Sequence, residues 1–585
     1  DQAADVAPLA VRSKRFRALR TEPLIFSPAD PRALYFAGNT LWVTRDLGQS
    51  WKQISPDLSR KAWTDPAAVG MYRGTAMAKP TRRGVIYAVS PSPLEANLIW
   101  AGTDDGLVWI TRDGGAHWTN VTPPGLTPWD KVSSIDAGHF APGTTYIAIN
   151  TLRLDQMTPR LYRTENYGRS WMDISNGLPD NAATDVLRQD TEDKNLLFAG
   201  TERQVWVSFN DGDQWHSLRM NMPATSIRDL EIKGDDLIAG THGRGFWILD
   251  DITPLRQLGK AAAAGEAYLY RPETTYRVRW DTNTDTPLRP ATPAGQNPPD
   301  GAILDYYLAQ SASGTVTLAV YSAGGALVQR YSSANPSPPI NPAELGVPAH
   351  WQRPPQPLRA TAGEHRFIWN LHYAPAPGTP RHLPMQAVVH NTPFPAGAPW
   401  VLPGSYTVRL TVNGQTYSQP LRVVMDPRVK TPPAGLRQQF ELSMRMYRGI
   451  GRLSAALRQA RAQQAGIAAL RKRASGTAAA ALAAASRQLD AVAGRAGGGF
   501  FAFFGAPSGG APTLASLRGT YFGLMRTLQA ADVTPTAQAT AAVAAQGAEL
   551  QPLLARWRAF ERSLPALNQT LQQAGLPPVA AAARR

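Results

Sequence analysis

Short apolar runs of four or five residues, separated by clusters of Gly, Asn, Asp and Thr, fill the first 260 positions. Leu34-Tyr35-Phe36-Ala37-Gly38 is matched by Leu98-Ile99-Trp100-Ala101-Gly102 and by Leu196-Leu197-Phe198-Ala199-Gly200. A shorter version, Leu237-Ile238-Ala239-Gly240, leads into Thr241-His242-Gly243-Arg244-Gly245-Phe246-Trp247. Runs this short between turn residues predict strands rather than helices. A polar pattern follows the runs. Thr44-Arg45-Asp46-Leu47-Gly48-Gln49-Ser50-Trp51 recurs as Thr111 to Trp118, Thr164 to Trp171 and Ser208 to Trp215, giving S/T-x-D/N-x-G-x-x-W four times. Each unit reads strand, strand, turn, strand. The repeat of roughly 40–70 residues is near that of a four-stranded propeller blade.

Turn chemistry accounts for the polar pattern. Gly48, Gly115, Gly168 and Gly212 supply the positive φ of a tight turn. The Ser/Thr hydroxyl and the side chains of Asp46, Asp113, Asn166 and Asn210 are suited to bond backbone N–H groups inside it. Trp51, Trp118, Trp171 and Trp215 anchor it. The motif is therefore a folding device, and its aspartates are not expected to be catalytic.

The pattern changes twice further on. Residues 314–321, 365–369 and 406–412 alternate like half-buried strands, and Asn413-Gly414 predicts a type I′ hairpin with a return strand to Val424. This suggests an immunoglobulin-like β-sandwich over 261–430, with long loops at 334–358 and 375–402. After Pro432-Pro433, Ala, Leu, Gln and Arg dominate, and helices are expected at 434–473, 477–493, 513–530 and 535–562. Residues 497–504, Gly-rich with four Phe, are expected to be a loop tucked into the bundle. The expected organisation is mainly β: blades over 1–260, a sandwich over 261–430 and a basic helical bundle over 431–585.

Composition sharpens this picture. The 585 residues exceed one core. With no cysteine, disulfides, Cys-ligated zinc and a thiol nucleophile are excluded. No apolar run reaches a membrane span. Of the net charge of +16, +13 falls on 431–585, with 18 basic against 5 acidic residues. An Arg-rich solvated helix face is the expectation there, with self-association or a protein partner through this tail. Nucleic acid is not expected as a partner.

The turn motif is the Asp box, or BNR repeat, found in sialidases, xyloglucanases and sortilin-type propellers. The chain resembles a group of large bacterial sortilin-like, glycosyl hydrolase-like BNR proteins. Residues 240–251, 297–302, 403–408 and 531–536 with 564–568 carry that resemblance. It implies an extracellular or periplasmic protein. Only about five blades are visible, near 22–58, 84–125, 130–179, 183–222 and 225–255, so earlier blades are expected to be missing.

Candidate chemistry is sparse. A glycosidase needs two carboxyls across a cleft, and Asp104, Asp105, Asp250 and Asp251 are the candidates. His242 and Arg244 are candidate ligand contacts. Asp281, Asn283 and Asp285 open like a calcium loop, but Thr286 and Thr292 stand where Gly and Glu are needed, so no metal site is expected. No cofactor motif is present. The reading is a scaffold that binds a glycan or protein ligand, with an Asp-box glycoside hydrolase acting on a polysaccharide as the alternative.

Overall fold

The computed structural model describes residues 3–62, 71, 84–279, 295, 297–335, 342, 348–349, 352–354, 356–379, 396–495 and 511–579. The 281–292 segment and the Phe-rich 497–504 segment lie outside these. The described chain packs into two compact units, Asp1–Arg256 and Gln257–Arg585.

The first unit is a row of up-and-down antiparallel sheets. Sheet one holds β1 (Leu24–Phe26), β2 (Leu34–Ala37), β3 (Leu41–Thr44) and β4 (Lys52–Gln53). Sheet two holds β5 (Ile86–Pro91), β6 (Ile99–Thr103), β7 (Val108–Thr111) and β8 (Thr119–Asn120). Sheet three holds β9 (Lys131–Ala137), β10 (Thr145–Asn150), β11 (Leu161–Thr164) and β12 (Met172–Asp173). Sheet four holds β13 (Thr184–Gln189), β14 (Leu197–Thr201), β15 (Val205–Ser208) and β16 (His216–Ser217). Sheet five has three strands, β17 (Ile227–Lys233), β18 (Asp236–Thr241) and β19 (Phe246–Leu249).

Apolar clusters form between consecutive sheets rather than within them. Leu41 and Ile54 of sheet one pack with Ile86 and Ile99 of sheet two. Trp100 and Val108 pack with Val132 and Ile147, Tyr146 and Leu161 with Leu187 and Leu197, and Phe198 and Val205 with Ile227 and Leu237. The second residue of each later third strand is aromatic and leans on the preceding sheet: Trp109, Tyr162, Trp206 and Trp247. No single sheet buries both of its faces alone, so each depends on its neighbours.

The four Trp turns share one bonding pattern, and the last three of them join consecutive sheets. In each, the Ser/Thr hydroxyl hydrogen-bonds the Asp/Asn side chain and accepts the N–H of the Gly. The distances are 2.7 and 2.9 Å at Thr44, 2.9 and 2.9 Å at Thr111, 3.1 and 3.0 Å at Thr164, and 2.9 and 2.9 Å at Ser208. The indole then reaches across to the sheet before. Trp118 Nε1 donates to the Ile54 carbonyl at 2.8 Å, Trp171 to Val121 at 2.7 Å and Trp215 to Ile174 at 2.7 Å.

The second unit opens with α1 (Leu258–Ala263). A three-stranded sheet follows in the order β20 (Ala267–Leu269), β22 (Ala302–Leu308), β25 (Gly363–Trp369). A five-stranded sheet runs β21 (Thr275–Arg277), β27 (Gln415–Met425), β26 (Gly404–Val412), β23 (Thr317–Ser322), β24 (Leu327–Ser332). The two sheets share one core that includes Leu304, Tyr306, Trp369, Val408 and Leu410. Asn413 and Gly414 turn the β26–β27 hairpin with φ of 47° and 86°, the left-handed pair a type I′ turn needs.

Four helices complete this unit: α2 (Pro433–Arg471), α3 (Gly476–Ala493), α4 (Leu514–Leu528) and α5 (Ala537–Gln573). Leu442, Met446, Ile450, Leu453 and Leu457 lie along one buried stripe of α2. The last helix runs eleven residues beyond the expected end at 562 and passes through Pro565. Burial of Leu564 and Leu571 outweighs the lost backbone bond. A buried carboxylate fastens the helices to the sheets: Asp532 meets Arg277 at 2.5 Å and Arg279 at 2.8 Å.

Candidate functional site

Strand pairing brings the turns between second and third strands to one end of the sheet row, beside the starts of the first strands. The register sets Ile86 opposite Thr103, Lys131 opposite Asn150, Thr184 opposite Thr201 and Ile227 opposite Thr241. In sheets two, four and five the first strand carries one extra residue near its start. Tyr87, Asp185 and Arg228 are those residues. A bulge turns a side chain out of the alternation that would otherwise place it. Here it sends all three to the same end.

Asp185 is the centre of the cluster and is 4% exposed. Its Oδ1 accepts from Asn150 Nδ2 at 2.9 Å and from Arg228 Nη1 at 3.2 Å. Arg228 Nη1 also lies 3.1 Å from Glu202 Oε1. Asp185 Oδ2 is buried without a hydrogen bond from a donor group. Burial pushes the Asp185 carboxyl up to about 7, against the pull of Arg228 and with a further push from Glu202. Held above the ordinary carboxylate range chiefly by burial, Asp185 is a neutral acid at mildly acidic pH.

Asp104 and Asp105 lie at this same end. Burial raises both, and Lys131 sits near enough to Asp104 and Asp185 to lower each. The Lys131 ammonium rests over the Tyr87 ring, 4.4 Å from its centroid. Asp104 accepts from the Val85 N–H at 2.8 Å and faces Arg153 Nη1 at 3.8 Å. Asp105 is fully buried, accepting from Thr103 Oγ1 at 2.6 Å and the Arg60 N–H at 2.8 Å. A Cβ on Gly84 would fall 1.9 Å from Asp105 Oδ2, so a glycine is required there.

The other sequence candidates fall elsewhere. Asp250 and Asp251 follow β19, and the Asp251 N–H bonds Asp236 Oδ1 at 3.0 Å. Asp236 opens β18, while the site end of that strand is Thr241. At strand rise this separates them by roughly 17 Å. Asp251 also accepts the Thr253 N–H at 2.9 Å, closing the turn out of the last sheet. His242 and Arg244 are at the site end with exposed side chains. Asp46, Asp113, Asn166 and Asn210 are occupied within their turns, and hydrogen bonds hold the Asp46 and Asp113 carboxyls down at about 2. Among the described residues, no group of three or more His, Cys, Asp or Glu side chains could hold a metal.

Sequence reading missed Asp185, Glu202 and Arg228. The available signal was a charged residue next to the start of an apolar first strand, in Thr184-Asp185-Val186-Leu187 and Ile227-Arg228.

The fold and site define a chain of β-propeller-type blades with a buried cluster of carboxyls and arginine at one end. No family model matches the chain. It is 23% identical over 266 residues to an oligoxyloglucan-reducing end-specific xyloglucanase of Emericella nidulans. That match covers 39% of this chain and 31% of the relative, so the chain spans about a third of that protein's length. Among solved structures it is similar to a GH74 xyloglucanase from Xanthomonas campestris, with 19% identity, TM-score 0.30, and coverage of 39% of this chain and 36% of that one. It is also similar to YCF48 from Cyanidioschyzon merolae, with 18% identity, TM-score 0.22, and coverage of 29% and 54%. No described helix is long and apolar enough to cross a membrane.

Proposed function

We propose that the blade unit is a glycoside hydrolase of the Asp-box type, acting outside the cytoplasm on a polysaccharide of the xyloglucan kind. Asp185 serves as the general acid. The carrying observation is a buried carboxyl raised to about 7 whose Arg228 partner also faces Glu202. A protonated acid near neutral pH is what protonation of a glycosidic oxygen requires. Asp104, the carboxyl with some exposure across Lys131, is the partner carboxylate. The sequence match to a xyloglucanase supports the substrate class. The two sheets after residue 264 then form an immunoglobulin-like module beside the helical tail.

A second reading is a binding protein without cleavage. It is favoured by Asp105, whose oxygens are taken up by Thr103 and Arg60 within the fold. A polysaccharide and oligosaccharide panel, scored for binding and for new reducing ends, separates the two. Asp185→Asn is expected to abolish reducing-end release by a hundredfold or more while leaving binding intact. Full release by that variant rejects Asp185 as the acid. Binding with no release from the unaltered chain establishes the second reading.

A further inference from the structure

The two sheets of the second unit treat arginine differently. In the three-stranded sheet Arg366 lies opposite Asp305, and the pair closes at 2.9 Å. An opposite charge on the next strand is the ordinary way to settle a charge on a sheet face. In the five-stranded sheet, β23, β24, β26 and β27 carry Arg330, Arg409 and Arg422 and no acidic residue. Among the described residues, no carboxylate comes within ion-pair distance of these three.

Alternation fixes where they point. Val408 and Leu410 belong to the core, so Arg409 between them faces away from it. Register sets Arg409 opposite Ala319 on one side and Ser418 on the other, and sets Ala319 opposite Arg330. Arg330 and Arg409 thus stand two strands apart, roughly 10 Å, with only an alanine between them. Both are exposed, and both turn to Tyr321. The Arg409 guanidinium rests 4.6 Å from the centroid of that ring, and Arg330 Nη2 donates to its phenol oxygen at 3.4 Å. An edge strand such as β24 uses a charge to repel a passing strand. Arg409 has no such task, because β26 is the central strand of the five.

We propose that this outer face of the five-stranded sheet binds an acidic, uronate-bearing polysaccharide, with Arg330 and Arg409 as the pair that takes its carboxylates. A guanidinium presents two parallel N–H donors to a carboxylate, and these two have no acid of their own to satisfy them. Tyr321 holds both in place, so less freedom is lost when the ligand arrives. Thr407 opposite Tyr321 and Ser418 opposite Arg409 supply hydroxyls that donate to and accept from sugar hydroxyls. A single-stranded nucleic acid would need an open ring face on which to stack its bases, and Arg409 covers that of Tyr321. This site stands whether or not the blade unit cleaves its own ligand.

The test titrates the full chain with polygalacturonate in a calorimeter, and in parallel with a single-stranded oligodeoxynucleotide. Saturable binding of polygalacturonate is expected, weaker as salt is raised. Arg330→Ser combined with Arg409→Ser should weaken it about tenfold or more. The helical tail is itself basic, so a control chain carries Arg471→Ser and Arg473→Ser, which removes the same charge from exposed positions at the end of α2. That control should bind within about twofold of the unaltered chain, as expected for exposed charges outside the site. Arg409→Lys keeps the charge and loses the planar fork, and its affinity should fall between the two. Equal losses in the two double variants would show attraction by net charge alone and overturn the proposal. So would no binding of polygalacturonate, or tighter binding of the oligonucleotide that is lost with Arg330 and Arg409. Should the Arg330 and Arg409 double variant not fold, Arg409→Lys decides, and unchanged affinity in it overturns the proposal.

Discussion

Each Trp turn spends its polar groups on itself and its glycine on a neighbour. Gly115 has φ of 98°, and a Cβ there would sit 2.4 Å from the Ile54 carbonyl oxygen. Gly125 has a similar φ of 84° with nothing within 4 Å. Both Gly→Ala variants meet the cost of a left-handed backbone, about 1 kcal/mol. Only Gly115→Ala must also push a backbone apart. Gly115→Ala should therefore lose about 1–3 kcal/mol more stability than Gly125→Ala in denaturant unfolding. Equal losses would show that the glycine serves the turn and not the contact. Asp185 is the residue-scale counterpart at the site. Its folded value lies above the ordinary one, so the protonated form is the one the fold favours. Any activity that needs this acid is present below about pH 7 and lost as pH rises through it. Glu202→Gln removes the facing negative charge. It should move that alkaline limb to lower pH in a rate–pH profile, and an unmoved limb would uncouple the two carboxyls.

Between elements, the decisive contacts are few and buried. Asp532, in the link from α4 to α5, takes Arg277 of β21 and Arg279 just beyond it, and Arg279 also donates to the Gln529 carbonyl at 2.7 Å. Both arginines lie near the Trp400 ring, at 5.9 and 5.2 Å from its centroid. Removing the one acid leaves the buried Arg277 and the half-buried Arg279 without a counter-charge. Asp532→Ala should cost about 3–5 kcal/mol, measured by denaturant unfolding of the whole chain. A loss under 1 kcal/mol would mean that the helices are held by apolar packing alone. His372 belongs to the same region, its ring tilted against Trp400 with centroids 4.1 Å apart, and burial holds it down at about 4. A histidine lowered in the fold is protonated first in the unfolded chain. Stability is thus full above about pH 6.5 and falls as pH drops toward 4, by a few kcal/mol at most. Acid melts should show this decline, and His372→Gln should flatten it.

At the scale of the whole chain, the apolar clusters lie between sheets, so the blade unit holds together by a succession of neighbour contacts. The four-fold S/T-x-D/N-x-G-x-x-W pattern makes the strand–turn–strand units legible in sequence, because φ, hydroxyl and indole requirements all fall within eight residues. Strand period and the Asn413-Gly414 turn did the same for β26 and β27. Helix composition located α2 to α5, although it stopped α5 at 562, where only the burial of Leu564 and Leu571 carries the helix onward. Local pattern therefore determined the elements and their turns. It could not determine the site. Asp104 and Asp105 stood out as adjacent acids, but so did Asp250 and Asp251, which register places at the other end of a sheet. Asp185, Glu202 and Arg228 come from three different segments and meet only because bulges in β13 and β17 turn Asp185 and Arg228 toward one end. The raised pKa of Asp185 arises from burial and from a neighbour seventeen positions away. Both are properties of the packed sheets, which no local run of residues encodes.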